Sequence, residues 1–118
     1  MDNFNNPSTS IKNWAIDDRP REKMIANGAN TLSNSELIAI LINNGSKEKS
    51  AVDLAKEILQ LGSNNLVELG KLNLKELQKV KGIGQAKAIT IAAALELGKR
   101  RQAAITLDKP IIKTTQQL

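Results

Sequence analysis

From Leu37 to Ile42 the chain reads Leu-Ile-Ala-Ile-Leu-Ile with no polar interruption. From Ala51 onward, apolar residues return at Ala51, Val52, Leu54, Ala55, Ile58 and Leu59, which is one side of a 3.6-residue repeat. The first run predicts a helix buried on most sides, the second an amphipathic helix. Both open on capping chemistry: Ser33-Asn34-Ser35-Glu36 has the spacing of a capping box, and Ser50 stands three residues before Asp53. Asn43-Asn44-Gly45-Ser46 ends the first helix and Gly62 the second.

The same punctuation continues on either side. Asp17-Asp18-Arg19-Pro20 places acids and a proline where a first helical turn accepts them, so a short helix runs from there to about Ile25, with Gly28 placed to end it. A turn of helix between Asn64 and Leu69 is expected to carry Leu66, Val67 and Leu69 inward. Asn73, with Glu76 three residues on, caps a helix through about Lys79 whose apolar edge is Leu74, Leu77 and Val80. A last helix is predicted from about Gly84 to Arg101. Its alanines at 86, 88 and 92–94 allow close approach of another backbone, while Ile89, Leu95 and Leu97 fill gaps. From Ala104 the helical pattern dissolves into "AITLDKPIIKTTQQL", read as a linker or the opening of a further domain.

The expected fold is therefore all-α, a bundle of about five to six helices. Helix, turn, helix occurs twice, at 34–61 and 74–101, and two such hairpins can bury their apolar faces against each other. A helical domain spans 11–103. Residues 1–10, polar and turn-rich, form a flexible N-terminal arm, and Trp14 is expected to cap the core; 104–118 is a C-terminal linker or the start of a further domain.

Composition narrows the chemistry. The 118 residues include no cysteine and no histidine, which removes disulfides, thiolate and imidazole metal sites and the usual general base near neutral pH. No catalytic constellation emerges, no metal site is expected, and a reducing, cytoplasmic setting fits. No apolar run reaches the roughly 20 residues of a membrane span, so no membrane partner is expected. The aromatics are only Phe4 and Trp14, leaving Leu, Ile, Val and Ala to build the core. The net charge of +5 is uneven: residues 64–101 hold eight Lys/Arg against three Asp/Glu. That basic half points to a polyanion partner.

The excess surrounds Val80-Lys81-Gly82-Ile83-Gly84-Gln85-Ala86-Lys87-Ala88. Gly82 and Gly84 are expected to turn the chain through positive φ and to leave room for a close neighbour, with Ile83 plugging the gap between the two helices. The following helix start offers unpaired N–H groups, and such an end holds phosphate through its donors and its dipole together. Lys81 and Lys87 flank these donors, with Lys79 adding to the field. Contacts of this kind go to the phosphate backbone and do not read sequence. With no aromatic side chain in either hairpin to stack on bases, duplex or branched DNA is the favoured form.

Leu77, Val80, Gly82, Ile83, Gly84, Ala88 and Ile91 together resemble the helix-hairpin-helix signature. Beyond that module, "IKNWAIDDRPREKMIANGANTLSNSELIAILI", "GSKEKSAVDLAKEIL" and "VKGIGQAKAITIAAALELGKR" resemble, in that order, the N-terminal domain of the RadC family of DNA repair-associated proteins, also catalogued as an uncharacterised protein family. The resemblance covers about residues 11–101. It implies DNA-backbone contact at Lys81, Gly82, Ile83, Gly84, Gln85 and Lys87. The first hairpin looks like a degenerate copy, with a possible second site at Gly45, Ser46, Lys47 and Lys49. Family members continue into a metalloprotease-like domain with a histidine-and-aspartate zinc motif, so zinc and hydrolase chemistry are implied for that absent domain only. This chain is then a fragment with no cofactor, whose partners are DNA and the C-terminal domain. The competing reading is a protein-interaction or structural module without DNA binding. Arg19, Arg21 and Lys23 are expected to pair with Asp17, Asp18 or Glu22 on their own helix surface.

Overall fold

The computed structural model describes the backbone of residues 17–113 and the side chains of residues 17–107. The proposed arm, Phe4, Trp14 and the final residues of the linker lie outside the described residues. Every regular element among the described residues is helical. In order these are α1 (17–27), a 3-10 turn (Ala29–Thr31), α2 (Asn34–Ile42), α3 (Ala51–Leu61), α4 (Leu66–Leu69), α5 (Leu74–Leu77) and α6 (Gln85–Lys113).

The caps sit where the polar spacing places them. Ser33 with Glu36, Ser50 with Asp53 and Asn73 with Glu76 each form a reciprocal capping box, and Asn65 accepts from the Glu68 amide at the start of α4. Each satisfies amides that the helix itself leaves unpaired. Gly28 ends α1 with φ +91°, its N–H returning to the Met24 carbonyl at 2.8 Å.

Two helical hairpins share one core. α2 packs on α3 and α6, and α5 packs on α6. Ile38, Ile42, Leu54 and Ile58 from the first hairpin meet Leu77, Val80, Ile83 and Ile91 from the second in a single buried cluster. Each fully buried aliphatic side chain stabilises by about 1.5–3 kcal/mol relative to exposure, so this cluster is the main cohesive element. Leu69 joins it because Gly62 lets the chain fold back: a Cβ on Gly62 would stand 2.7 Å from the Leu69 Cα.

Four details depart from the sequence reading. Of the residues in α4, only Leu69 is buried; Leu66 and Val67 are exposed, because a single helical turn directs one position inward. On α6 Ala88 and Ile91 are buried and Ala92 and Leu95 pack against the cluster, while Ile89 and Leu97 are exposed. α1 makes its contacts across to α2 and the first interhelical loop instead of along its own surface: Arg21 donates to the Ile40 carbonyl and Asn43 Oδ1, and Lys23 pairs with Glu36 at 3.2 Å. Finally, α6 does not stop near Arg101 but continues through Lys113, so a stretch expected as linker is helical backbone. Extending an existing helix costs far less than starting one, and Gln102, Ala103 and Ala104 are good helix formers. An Arg100–Glu96 pair at 3.0 Å adds i,i+4 support. From Glu96 to Leu107 every residue is exposed, so the second half of α6 overhangs the core.

Candidate nucleic-acid interface

The turn between α5 and α6 is built around two glycines that do different work. Gly82 has φ +103°, and a Cβ there would lie 3.1 Å from a Leu54 methyl of α3 and 3.5 Å from Ser46 Cβ. It is therefore required by both backbone conformation and close approach. Ile83 is buried beneath the turn, its N–H donating to the Val80 carbonyl at 3.0 Å. Gly84 does not take the positive φ expected of it, and a Cβ on it would meet nothing within 4 Å. Neither packing nor a positive φ requires a glycine there, although it stands at the N-cap of α6, where glycine is tolerated. Its effect is to leave open the approach to the start of α6.

That opening exposes donors. Among the described residues no acceptor meets the backbone amides of Gly82, Gly84, Gln85, Ala86 or Lys87, and the first bond of the new helix runs from the Ala88 N–H to the Gly84 carbonyl at 3.0 Å. Lys79, Lys81, Gly82, Gly84 and Gln85 are exposed. Among the described residues neither Lys79 nor Lys81 has a carboxylate within ion-pair distance. Lys87 is placed differently: its ammonium donates to the Asn44 carbonyl at 2.7 Å, binding the start of α6 to the loop of the first hairpin. With Gly82 beside Ser46 and Lys87 on Asn44, the two interhelical loops lie side by side at one end of the core.

The loop of the first hairpin has a similar set of donors, already occupied. The buried carboxylate of Asp17 accepts from the Ala51 N–H at 2.7 Å and from the Gly45 N–H at 3.1 Å. The Ser46 amide donates to the Lys49 carbonyl, and the Lys49 amide to Ser46 Oγ. The Lys49 ammonium is held by Glu57. Of the four residues of the possible second site, only Lys47 is exposed without a partner among the described residues. Sequence reasoning treated Asp17 as an ordinary first-turn acid; nothing in its spacing from Gly45 or Ala51 signals the contact.

Several other carboxylates serve as caps or ion-pair partners. Glu36 accepts from the Ser33 N–H and from Lys23, which together hold its carboxyl below its ordinary value. Among the described residues no group of three or more Asp or Glu is placed to hold a metal ion. No helix is long and apolar enough to cross a membrane among the described residues.

The sequence matches the profile of the UPF0758 N-terminal family over residues 11–89. A UPF0758 protein of Flavobacterium johnsoniae is 51% identical over 94 residues, a match covering 80% of this chain and 41% of that relative. One from Trichlorobacter lovleyi is 48% identical over 98 residues, covering 81% and 43%. One from Staphylococcus aureus strain Newman is 51% identical over 90 residues, covering 76% and 39%. The match thus spans about two-fifths of the length of these relatives. No solved structure matches the chain. The profile and these identities together place the chain in the UPF0758 family, of which it carries the N-terminal domain.

Proposed function

We propose that this domain binds the sugar–phosphate backbone of duplex or branched DNA without reading its sequence, and so positions the further polypeptide that longer family members carry. The observation that supports this reading most is the open turn at Gly82–Lys87, where backbone amides face solvent beside the exposed Lys79 and Lys81. The first hairpin supplies an internal precedent. The amide that opens α3, together with that of Gly45, already coordinates an anion, the Asp17 carboxylate. The amide that opens α6, on Gln85, occupies the equivalent place and has no such partner among the described residues. A phosphate oxygen there completes the unfilled cradle, with the helix dipole and two lysines adding favourable charge. The resemblance to the RadC family points the same way. In this reading the domain is a binding module and carries no catalytic step.

The test is a titration of fluorescent duplex and branched DNA across a salt series. Log affinity is expected to fall linearly with log salt, and Lys81→Ala to reduce the slope by about one phosphate contact. Gly84→Val is the sharper probe, because the space around residue 84 lets the variant fold while its branched side chain covers the amides. Affinity should drop with an unchanged unfolding midpoint. Salt-independent or absent binding by the native domain would reject the reading.

A protein-interaction role is favoured by a different observation, an apolar groove on the flank formed by α2, α4 and α6.

A further inference from the structure

The overhanging half of α6 does not stand clear of the domain. With Leu37 and Leu41 of α2 and Leu66 and Val67 of α4, the α6 face that includes Leu95 and Leu107 encloses an open groove of about 1030 Å³. Val67 is 69% exposed and Leu107 is 72% exposed. A contiguous apolar surface of this kind, edged by Lys71, Glu96 and Lys99, marks a protein contact. Its edge carries both signs of charge and its lining is aliphatic, which does not suit a phosphate backbone.

We infer that this groove is the seat of an aliphatic-faced segment of the polypeptide that follows the domain in longer UPF0758 proteins. Two observations choose this occupant. The match covers only 41% of the Flavobacterium johnsoniae relative, so more than half of that protein must be placed beyond the family's N-terminal domain. And one wall of the groove is α6, the last helix among the described residues, so in the longer relatives whatever follows this helix is tethered beside it. From Lys113 back to Gly98 the helix rises about 22 Å, a distance that about seven extended residues retrace. The short tether gives the returning segment a high effective concentration at the groove. A second copy of this chain fits less well. Lys99, Arg100 and Arg101 lie on the overhang, and with Arg100 offset by its pairing to Glu96, two overhangs laid side by side would bring together the uncompensated Lys99 and Arg101 of both copies.

The inference shares with the proposed function only the premise that further polypeptide follows the domain in the family; DNA contact plays no part in it. Hydrogen exchange separates the two. Protection factors are compared between this 118-residue chain and the full-length Flavobacterium johnsoniae relative. The amides aligned with Leu69–Leu72 and Ile91–Ala94 should be protected about tenfold more in the full-length protein, and those aligned with Lys81–Gln85 should not change. Val67→Asp, introduced at the aligned position of the full-length relative, should return the groove amides to the protection seen in this chain. The same substitution here should leave the unfolding midpoint unchanged, since Val67 is exposed. Equal protection in the two proteins overturns the inference. So does a dimer of this chain, seen by sedimentation, with its groove protected. DNA-induced protection is expected at the α5–α6 turn, so its absence there would sink the DNA reading and leave the groove assignment standing.

Discussion

In the first hairpin the amides of Gly45 and Ala51 close on the carboxylate of Asp17; in the second, those of Gly84 and Gln85 face solvent with no acceptor among the described residues. Both hairpins pack into the same buried cluster and the helix before each turn opens on a capping box, but α3 has a capping box of its own at Ser50 whereas α6 follows Gly84, which has no side chain to cap it. What also separates them is whether the chain supplies its own anion. A helix start with a carboxylate in place gains up to about 2 kcal/mol in partly buried settings and becomes a clasp between elements. The same start left empty contributes nothing to cohesion and keeps its donors for something else. One geometry thus serves stability in one hairpin and is open to a ligand in the other.

The glycines give the largest expected difference. A Cβ on Gly45 would lie 2.2 Å from the Lys49 carbonyl oxygen and 2.8 Å from the Ala51 nitrogen, both backbone atoms that cannot step aside. Gly45→Ala should therefore lose about 3 kcal/mol of stability, at the upper end of overpacking costs. Gly84→Ala, which adds a methyl group to empty space, should stay within about 0.5 kcal/mol of the native protein. Urea midpoints of the two variants decide it. Similar losses at both positions would mean that the second turn is as closed as the first.

Asp17→Ala comes next. It leaves the fully buried amide of Ala51 without an acceptor, and an unmet buried donor costs about 1–3 kcal/mol. Around 2 kcal/mol is expected, in the same urea experiment, with a further consequence for the first loop. Its vacated cradle then matches that of the second hairpin, so inorganic phosphate should stabilise Asp17→Ala more than it stabilises the native chain. An equal response in both proteins would show that these amides do not recognise anions once the carboxylate is gone.

The lysines should divide along the same line. Lys87 holds the Asn44 carbonyl, so Lys87→Ala is expected to cost about 1 kcal/mol in stability. Lys81 makes no hydrogen bond or ion pair among the described residues, so Lys81→Ala should leave the urea midpoint in place and change only the salt slope of DNA binding. If Lys81→Ala destabilises and Lys87→Ala does not, the assignment of the two side chains is reversed.

Much of the fold was legible because it rests on local rules. The capping boxes at Ser33, Ser50 and Asn73 and the apolar repeats of α2 and α3 each announce an element within a few residues of sequence. Gly82 was legible too, since a turn between two helices asks for positive φ. Gly84 was half legible: the residue was singled out, but its conformation was misjudged, and only the surrounding empty space shows what its missing side chain does. The contacts of Asp17 and Lys87 were not legible. They join positions 28 to 43 residues apart, and no periodicity encodes which distant amide or carbonyl a charged side chain will find. The length of α6 was missed for the opposite reason. From Glu96 to Leu107 its residues are exposed, so the apolar pattern that marks a helix had already faded while the backbone still propagated.

The smallest effect expected lies in the acid limb of stability, and it too should be confined to one hairpin. Glu36 accepts the Ser33 N–H at 2.8 Å and the Lys23 ammonium at 3.2 Å. The amide bond first, and then the lysine, hold its carboxyl below the ordinary value. A carboxyl lowered in the folded state stabilises the protein while it is ionised in both states. That contribution is present above the ordinary carboxylate pKa and is lost as the pH falls through the lower, folded value. Glu36→Gln keeps the capping geometry but removes the charge, so variant and native protein should differ in urea midpoint near neutrality and converge below the carboxylate range. Because both partners are partly open to water, the gap should be slight. Its location is more telling than its size. In amide NMR spectra taken down the acid limb, the shifts at Lys23 and Ser33–Glu36, where α1 grips α2, should come late, below the ordinary carboxylate range, and the α5–α6 turn at Lys81–Gln85 should stay unmoved. Shifts that begin at the turn instead would mean that the second hairpin holds an acidic partner of its own, and that its donors are not open.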